Sequence, residues 1–322
     1  MNPFISLEEA IDRTNANIAS AVTGVSGGLS DLSSYAGSAA GKGVRMRLLL
    51  CAAMKPDTLV HGNATKAAAA VELLHLATLV HDDVIDDTPI RRGIDTVQRK
   101  FGKKNAVICG DYLLCMSLNA LSGMEFDGDK DRLAPLVIRF SRVLSSICLG
   151  EYSQLQHSGD LDMNLPTYLR IIAGKTAALF YISAFLGAIL GGEEEESARA
   201  LGRFGQRMGI AFQIADDCKD YELSEVEARK PVGNDIAGGV ITLPLIIALK
   251  REGALRDLAR EAMGNGRVVP NLVAEVRRLG GADGAREILR HFDAKARLAL
   301  RNITGTKREH LLAILDKALW KT

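Results

Sequence analysis

Apolar residues recur at helical spacing through most of this chain, and proline, which would break such runs, occurs only 8 times in 322 residues. Residues 64–77 are rich in strong helix formers, with Asn63 placed as an N-cap. Similar patterns cover residues 111–121, 133–156, 201–220, 241–252 (interrupted early by Pro244) and 310–319. No run alternates apolar and polar residues for long enough to form a sheet. Glycine-containing joints punctuate the chain, but no linker is rich enough to separate one domain from another. The four acids Glu193, Glu194, Glu195 and Glu196 read as a helix N-terminus favoured by the macrodipole. The expectation is an all-α chain, a single large helical bundle forming one domain over residues 1–322.

Composition narrows the partners. Hydrophobic residues make up 47% and charged residues 25%, which excludes a disordered chain. Lys+Arg 40 against Asp+Glu 39 leaves a formal charge of +1, so nucleic acid is not an expected partner. Five cysteines without a CxxC pair read as buried thiols in a reducing compartment. The N-terminal run MNPFISLEEAIDRTNANI lacks a basic-then-apolar signal pattern. The longest uncharged apolar stretch, residues 176–192, falls short of the ~20 residues that span a bilayer. A cytoplasmic protein without a transmembrane segment is therefore expected.

The chemistry is announced by two acidic clusters. His81-Asp82-Asp83-Val84-Ile85-Asp86-Asp87 ends a long apolar helical run. At 100° per residue, Asp82, Asp83 and Asp86 fall within about a 100° arc. Three carboxylates so close repel one another unless they share a divalent cation or take up protons. Asp216, Asp217 and Asp220 repeat the DDxxD spacing after another apolar run. All-oxygen ligands favour a hard ion, and Mg²⁺ is usual when substrate phosphates complete the shell. One such cluster is nearly as well read as a solvated helix end; two suggest a pair of helices clamping metal-bound phosphates. Lys42, Arg45, Arg91, Arg92, Lys175 and Lys230, with Thr176 beside Lys175, supply cationic groups suited to phosphate.

These residues resemble the trans-prenyl diphosphate synthases, or polyprenyl synthetases. HDDVIDDTPIRRG from His81 is similar to that family's first aspartate-rich motif, and FQIADDCKDY from Phe212 to its second. KPVGNDIAGGVITLPLIIAL continues the pattern, so the resemblance covers about residues 41–249. It implies a bundle of the isoprenoid synthase type with a central cavity, and elongation of an allylic diphosphate by isopentenyl diphosphate. Asp82, Asp83, Asp86, Asp216, Asp217 and Asp220 would bind Mg²⁺, roughly three ions per active site. Lys175, Lys230 and Arg91 would hold the allylic diphosphate, with Thr176 and Gln213 near it. Lys42, Arg45, His75 and Arg92 would bind isopentenyl diphosphate, and Gln154 resembles a position near the metals. Family members commonly pair, so a homodimer is expected, and a small partner subunit is compatible with the departures below.

Four positions depart from the family pattern: Gly43 stands for Arg, Met46 for Pro, Arg229 for Gly and Val240 for Lys. The last removes a diphosphate contact.

In the family, aromatic residues four and five positions before the first aspartate set short products. Here those positions are Thr78 and Ala77, both small. The floor of the prenyl shaft is then expected deeper, at Leu74, Leu73 or Met116. At ~5 Å per isoprene unit along ~28 Å of helix, this predicts a product of about C30–C40.

Blander readings compete at several positions. Glu72 and His75 form half of a di-iron ExxH pattern, but no second ExxH occurs. Phe180, Tyr181 and Phe185 read as core, and the apolar face of residues 176–192 as core or a dimer interface. A terpene cyclase typically replaces the second DDxxD, which is intact here. A non-catalytic subunit is expected to lose metal ligands, and none is lost.

Overall fold

The computed structural model describes residues 3–38, 41–125, 133–222, 234–264 and 268–320. Helix α1 (Leu7–Thr23) starts where Ser6 accepts the Glu9 N–H at 3.1 Å, with Glu8 and Glu9 in its first turn. Helices α2 (Gly28–Ser38), α3 (Val44–Ala52), α4 (Asn63–Ile85), α5 (Val97–Phe101) and α6 (Lys103–Ser122) follow. Then come α7 (Leu133–Gln156), α8 (Leu165–Ile172), a π-helical turn (Ala173–Ala177), α9 (Ala178–Leu190) and α10 (Glu195–Glu222). Helices Asn234–Ala237, Leu243–Arg251, Leu255–Gly264, Val269–Arg278, Gly281–Ala299 and Gly305–Leu319 complete the all-α fold.

Contacts divide the chain into two compact units, each discontinuous. One comprises Met1–Arg142, Leu179–Gly205 and Ala299–Lys317. In it α4 packs on α6, and Leu73, Leu76, Ala77 and Val80 share an apolar cluster with Cys109 and Leu113. The other comprises Val143–Ala178, Gln206–Leu298 and Ala318–Thr322. There Ile214, Cys218 and Tyr221 of α10 are buried, and the Tyr221 hydroxyl lies 2.9 Å from Thr242 Oγ1.

Several expectations change in detail. Among the described residues there are two antiparallel ladders, β1 (Phe4–Ile5) with β2 (Val60–His61) and β3 (Ile90–Arg91) with β4 (Ile94–Asp95). At two residues each they are too short to leave an alternating pattern. Asn63 is the first residue of α4 rather than its cap. Its amide instead bonds the Glu125 backbone through both Nδ2 (2.6 Å) and Oδ1 (3.1 Å). Pro244 sits in the first turn of Leu243–Arg251, behind the N-cap Thr242, where a missing N–H breaks nothing. Cys51, Cys109 and Cys218 are buried, but Cys115 and Cys148 are exposed.

The 176–192 stretch is core: Phe180, Ile182, Phe185 and Leu186 are all buried. The sequence measure of that stretch understated helix length. Among the described residues two helices, Leu133–Gln156 and Leu165–Leu190, are long and apolar enough to cross a membrane. The second is 72% buried, as a core helix is, and the first 28%.

Candidate active site

In the first unit, the aspartate-rich motif closes α4. Asp82 and Asp83 occupy its last turn and Asp86 is the C-cap, its N–H donating to Asp82 O at 2.8 Å. Consecutive helical residues diverge by 100°, so Asp82 and Asp83 do not point together. Asp83 is buried and accepts Arg91 Nε at 2.8 Å, while Asp82 is half-buried and Asp86 exposed. Burial raises the Asp83 carboxyl above its ordinary 3.8, and Arg91 opposes that rise. Arg91 is set by the β3–β4 hairpin, whose two loop residues, Arg92 and Gly93, both have positive φ (54° and 82°).

A cationic cluster around His75 lies in the same unit. The Arg45 guanidinium stands 4.5 Å over the Phe180 ring, and its Nε is buried with no hydrogen-bond partner among the described residues. Burial lowers Arg45 to about 10, with Glu72 opposing and Arg92 adding to the shift. His75 is driven well below its ordinary 6.5 by burial and by Arg45, Arg92 and Arg91. Lys42, Arg47, Glu72 and His75 line a cleft of about 170 Å³. Glu72, which sequence reasoning weighed only as half of an iron motif, accepts the Met46 N–H at 2.9 Å in the first turn of α3. A proline at position 46 has no N–H to give. Gly43, the N-cap of α3, is left-handed (φ 60°), and a Cβ there would meet Met46 Cε at 2.8 Å. The Gly43 and Met46 departures therefore accommodate one another.

Of the chain-length candidates, Leu73, Ala77 and Met116 belong to one apolar cluster. Leu74 is buried but is not a member of it, and Thr78 donates to His75 O at 2.8 Å.

In the second unit, Asp216 is exposed, 3.2 Å from Lys219 Nζ, whereas Asp217 and Asp220 are buried. Both Asp217 oxygens are held: Tyr168 donates to Oδ2 at 2.6 Å and Gln213 Nε2 to Oδ1 at 2.9 Å. Thr176 in turn donates to Gln213 Oε1 at 2.7 Å. Burial pushes Asp217 up to about 7; the Tyr168 and Gln213 bonds oppose this, and Asp216 and Asp220 add to it. Lys175, in the π turn, lies 2.6 Å from Glu151 Oε2. Sequence reasoning missed Tyr168 and Glu151, because neither lies in a repeated motif. Gln154 is half-buried on α7. Val240 donates its N–H to Asp235 O at 2.7 Å. Lys230 and Arg229 lie outside the described residues.

The donor set fits a hard dication: it is all carboxylate, and Asp217 is driven toward protonation partly by Asp216 and Asp220. Among the described residues no three His, Cys, Asp or Glu side chains close into a cage.

The polyprenyl synthetase family model matches residues 27–278. The chain belongs to the polyprenyl synthetase family. Among polyprenyl synthetases, it is 38% identical over 221 residues to heptaprenyl diphosphate synthase component 2 of Bacillus subtilis, covering 68% of this chain and 61% of that protein. It therefore spans about three-fifths of that relative's length. It is 37% identical over 248 residues to the all-trans-nonaprenyl-diphosphate synthase (geranyl-diphosphate specific) of Rhodobacter capsulatus, covering 75% and 73%. Heptaprenyl diphosphate synthase from Staphylococcus aureus shares its fold with a TM-score of 0.89 at 27% identity, over 98% of both chains.

Proposed function

We propose that this polyprenyl synthetase is a prenyltransferase. It condenses isopentenyl diphosphate with an allylic diphosphate, as one functional domain over residues 1–322, to a linear all-trans polyprenyl diphosphate of about C30–C40. The observation that carries the reading is the cationic cluster of Arg45 and Arg92 around neutral His75, whose buried Arg45 Nε has a donor to give and whose chemistry calls for an anion. Heptaprenyl and nonaprenyl synthases among the relatives support the class and a long-chain product.

Bound Mg²⁺, roughly three ions, would supply positive charge to balance the charge developing on the leaving diphosphate. Asp82, Asp86, Asp216 and Asp220 would hold it, with Asp83 and Asp217 alongside. Lys175 and Arg91, joined by Lys230, bind the allylic diphosphate, and Lys42, Arg45, His75 and Arg92 the isopentenyl one. The C–O bonding pair leaves with diphosphate, and the isopentenyl double bond supplies the pair for the new C–C bond. A proton then leaves the adjacent carbon for the released diphosphate, so no side-chain nucleophile is needed. The apolar product partitions to membranes. Assembly as a homodimer in the cytoplasm completes the reading.

Mass spectrometry of products from isopentenyl diphosphate with dimethylallyl, geranyl or farnesyl diphosphate, with and without Mg²⁺, tests it. A Mg²⁺-dependent linear ladder supports the proposal, and cyclic hydrocarbons would replace it with a cyclase. A second reading, dependence on a partner subunit, is favoured by Val240 and by the name "component 2" of the Bacillus relative. Turnover that appears only when a second chain is added, and not with Val240→Lys, would select it.

A further inference from the structure

Glu151 belongs to neither aspartate motif, yet its Oε2 stands 2.6 Å from Lys175 Nζ, with side-chain exposures of 12% and 21%. Its other oxygen, Oε1, is buried and has no hydrogen-bond partner among the described residues. A half-satisfied buried carboxylate is unfavourable unless its cation is held against it. Two backbone features hold it so. A Cβ on Gly150 would stand 2.9 Å from Lys175 Cα, and one on Gly174 2.9 Å from Ser146 O, so α7 and the π turn touch backbone to backbone. The π turn of Ala173–Ala177 also takes Lys175 out of the register that α8 would impose.

We propose that Glu151 is a positioning residue that fixes the Lys175 ammonium where it meets the allylic diphosphate. This rests on the reading of Lys175 as a diphosphate ligand. An ammonium carries three N–H donors, so a bond to Glu151 does not exhaust what Lys175 gives to phosphate. A lysine fixed in advance loses less side-chain freedom on binding, and the benefit falls on the substrate it touches. The effect belongs to the KM of the allylic substrate and not to that of isopentenyl diphosphate.

The test compares wild type, Glu151→Gln, Glu151→Ala, Lys175→Ala and the Glu151→Ala/Lys175→Ala double variant, varying each substrate separately and recording Tm. Glu151→Ala is expected to raise the allylic KM roughly tenfold while the isopentenyl KM stays put. Glu151→Gln keeps an oxygen for the ammonium and restores most of the loss. In the Lys175→Ala background, removing Glu151 adds nothing further. An unchanged allylic KM, an equal rise for both substrates, or a full effect without Lys175 overturns the proposal.

Should the alanine variant not fold, Glu151→Asp withdraws the carboxylate by one methylene; a severalfold rise in allylic KM is expected, and none overturns the proposal. Absence of product from wild type sinks the prenyltransferase reading instead. The pair is then judged by calorimetry of inorganic pyrophosphate with Mg²⁺. Weaker binding by Glu151→Ala than by wild type and Glu151→Gln supports the role, and equal binding by all three overturns it.

Discussion

Asp83 and Arg91 form an ion pair of 2.8 Å that ties the last turn of α4 to the β3–β4 hairpin. Asp217, in the same place within the second DDxxD, is likewise held by the protein, through Tyr168 and Gln213. In both motifs the second aspartate is buried, while Asp82 is half-buried and Asp216 exposed. The shared cause is the 100° step between adjacent helical residues, which sends an Asp-Asp pair in two directions.

Asp83→Ala is expected to destabilise the protein by about 1–3 kcal/mol, because it leaves Arg91 uncompensated. Asp82→Ala is expected to leave Tm nearly unchanged in Mg²⁺-free buffer yet lower turnover by about a hundredfold or more. Melting curves and product formation on the two variants separate these roles. Equal losses of stability would refute the division.

Tyr168→Phe removes a donor from Asp217. The folded Asp217 carboxyl, at about 7, lies above its ordinary 3.8. Across that window the native protein keeps a proton that the unfolded chain has released, so this group's contribution to stability falls as pH rises. Loss of the hydroxyl raises the carboxyl further, and about 1–2 kcal/mol should be lost at pH near 8, less at pH near 5. Denaturant titration without Mg²⁺ at both pH values checks this; a loss independent of pH contradicts it.

His75 carries the opposite slope. It is held below its ordinary 6.5 in the fold, so under that pH the unfolded chain binds a proton that the native state refuses. Stability should fall on acidification, by at most about 1.4 kcal/mol per pH unit from this group. His75→Gln should flatten the acid limb of a Tm–pH curve, and an unaltered limb would reject the assignment.

Gly43→Ala should lose about 1 kcal/mol from its left-handed backbone alone. The added Cβ also strikes Met46 Cε, at 2.8 Å. Met46→Ala opens that space, so the double variant is expected to be more stable than the sum of the two singles predicts. Strict additivity in a denaturant cycle would show the residues to be independent.

Ala77 is buried in the apolar cluster with Leu73 and Met116. Ala77→Phe is expected to shorten the product, at about 1–3 kcal/mol of overpacking. Mass spectrometry of the chain-length distribution reads the outcome. An unchanged distribution removes Ala77 from the shaft.

The helical class, the extent of α7 and both aspartate motifs were legible along the chain, because periodicity and spacing are local properties. The Asn63 bond to Glu125 and the Glu72 bond to the Met46 N–H were not. Each joins segments far apart in sequence through one side chain that also fits a simpler local role.

By itself the sequence determined an all-α chain, since its apolar residues follow the helical period, and a chemistry of carboxylates and cations suited to diphosphate. Only the tertiary structure decided which member of each aspartate pair the protein keeps for itself. It also decided that Glu151 meets Lys175 and that Met46 fills the space beside Gly43. Residue spacing states where a side chain leaves its own helix. Burial and partner depend on which backbone packs against that helix, and that information is spread over the whole fold.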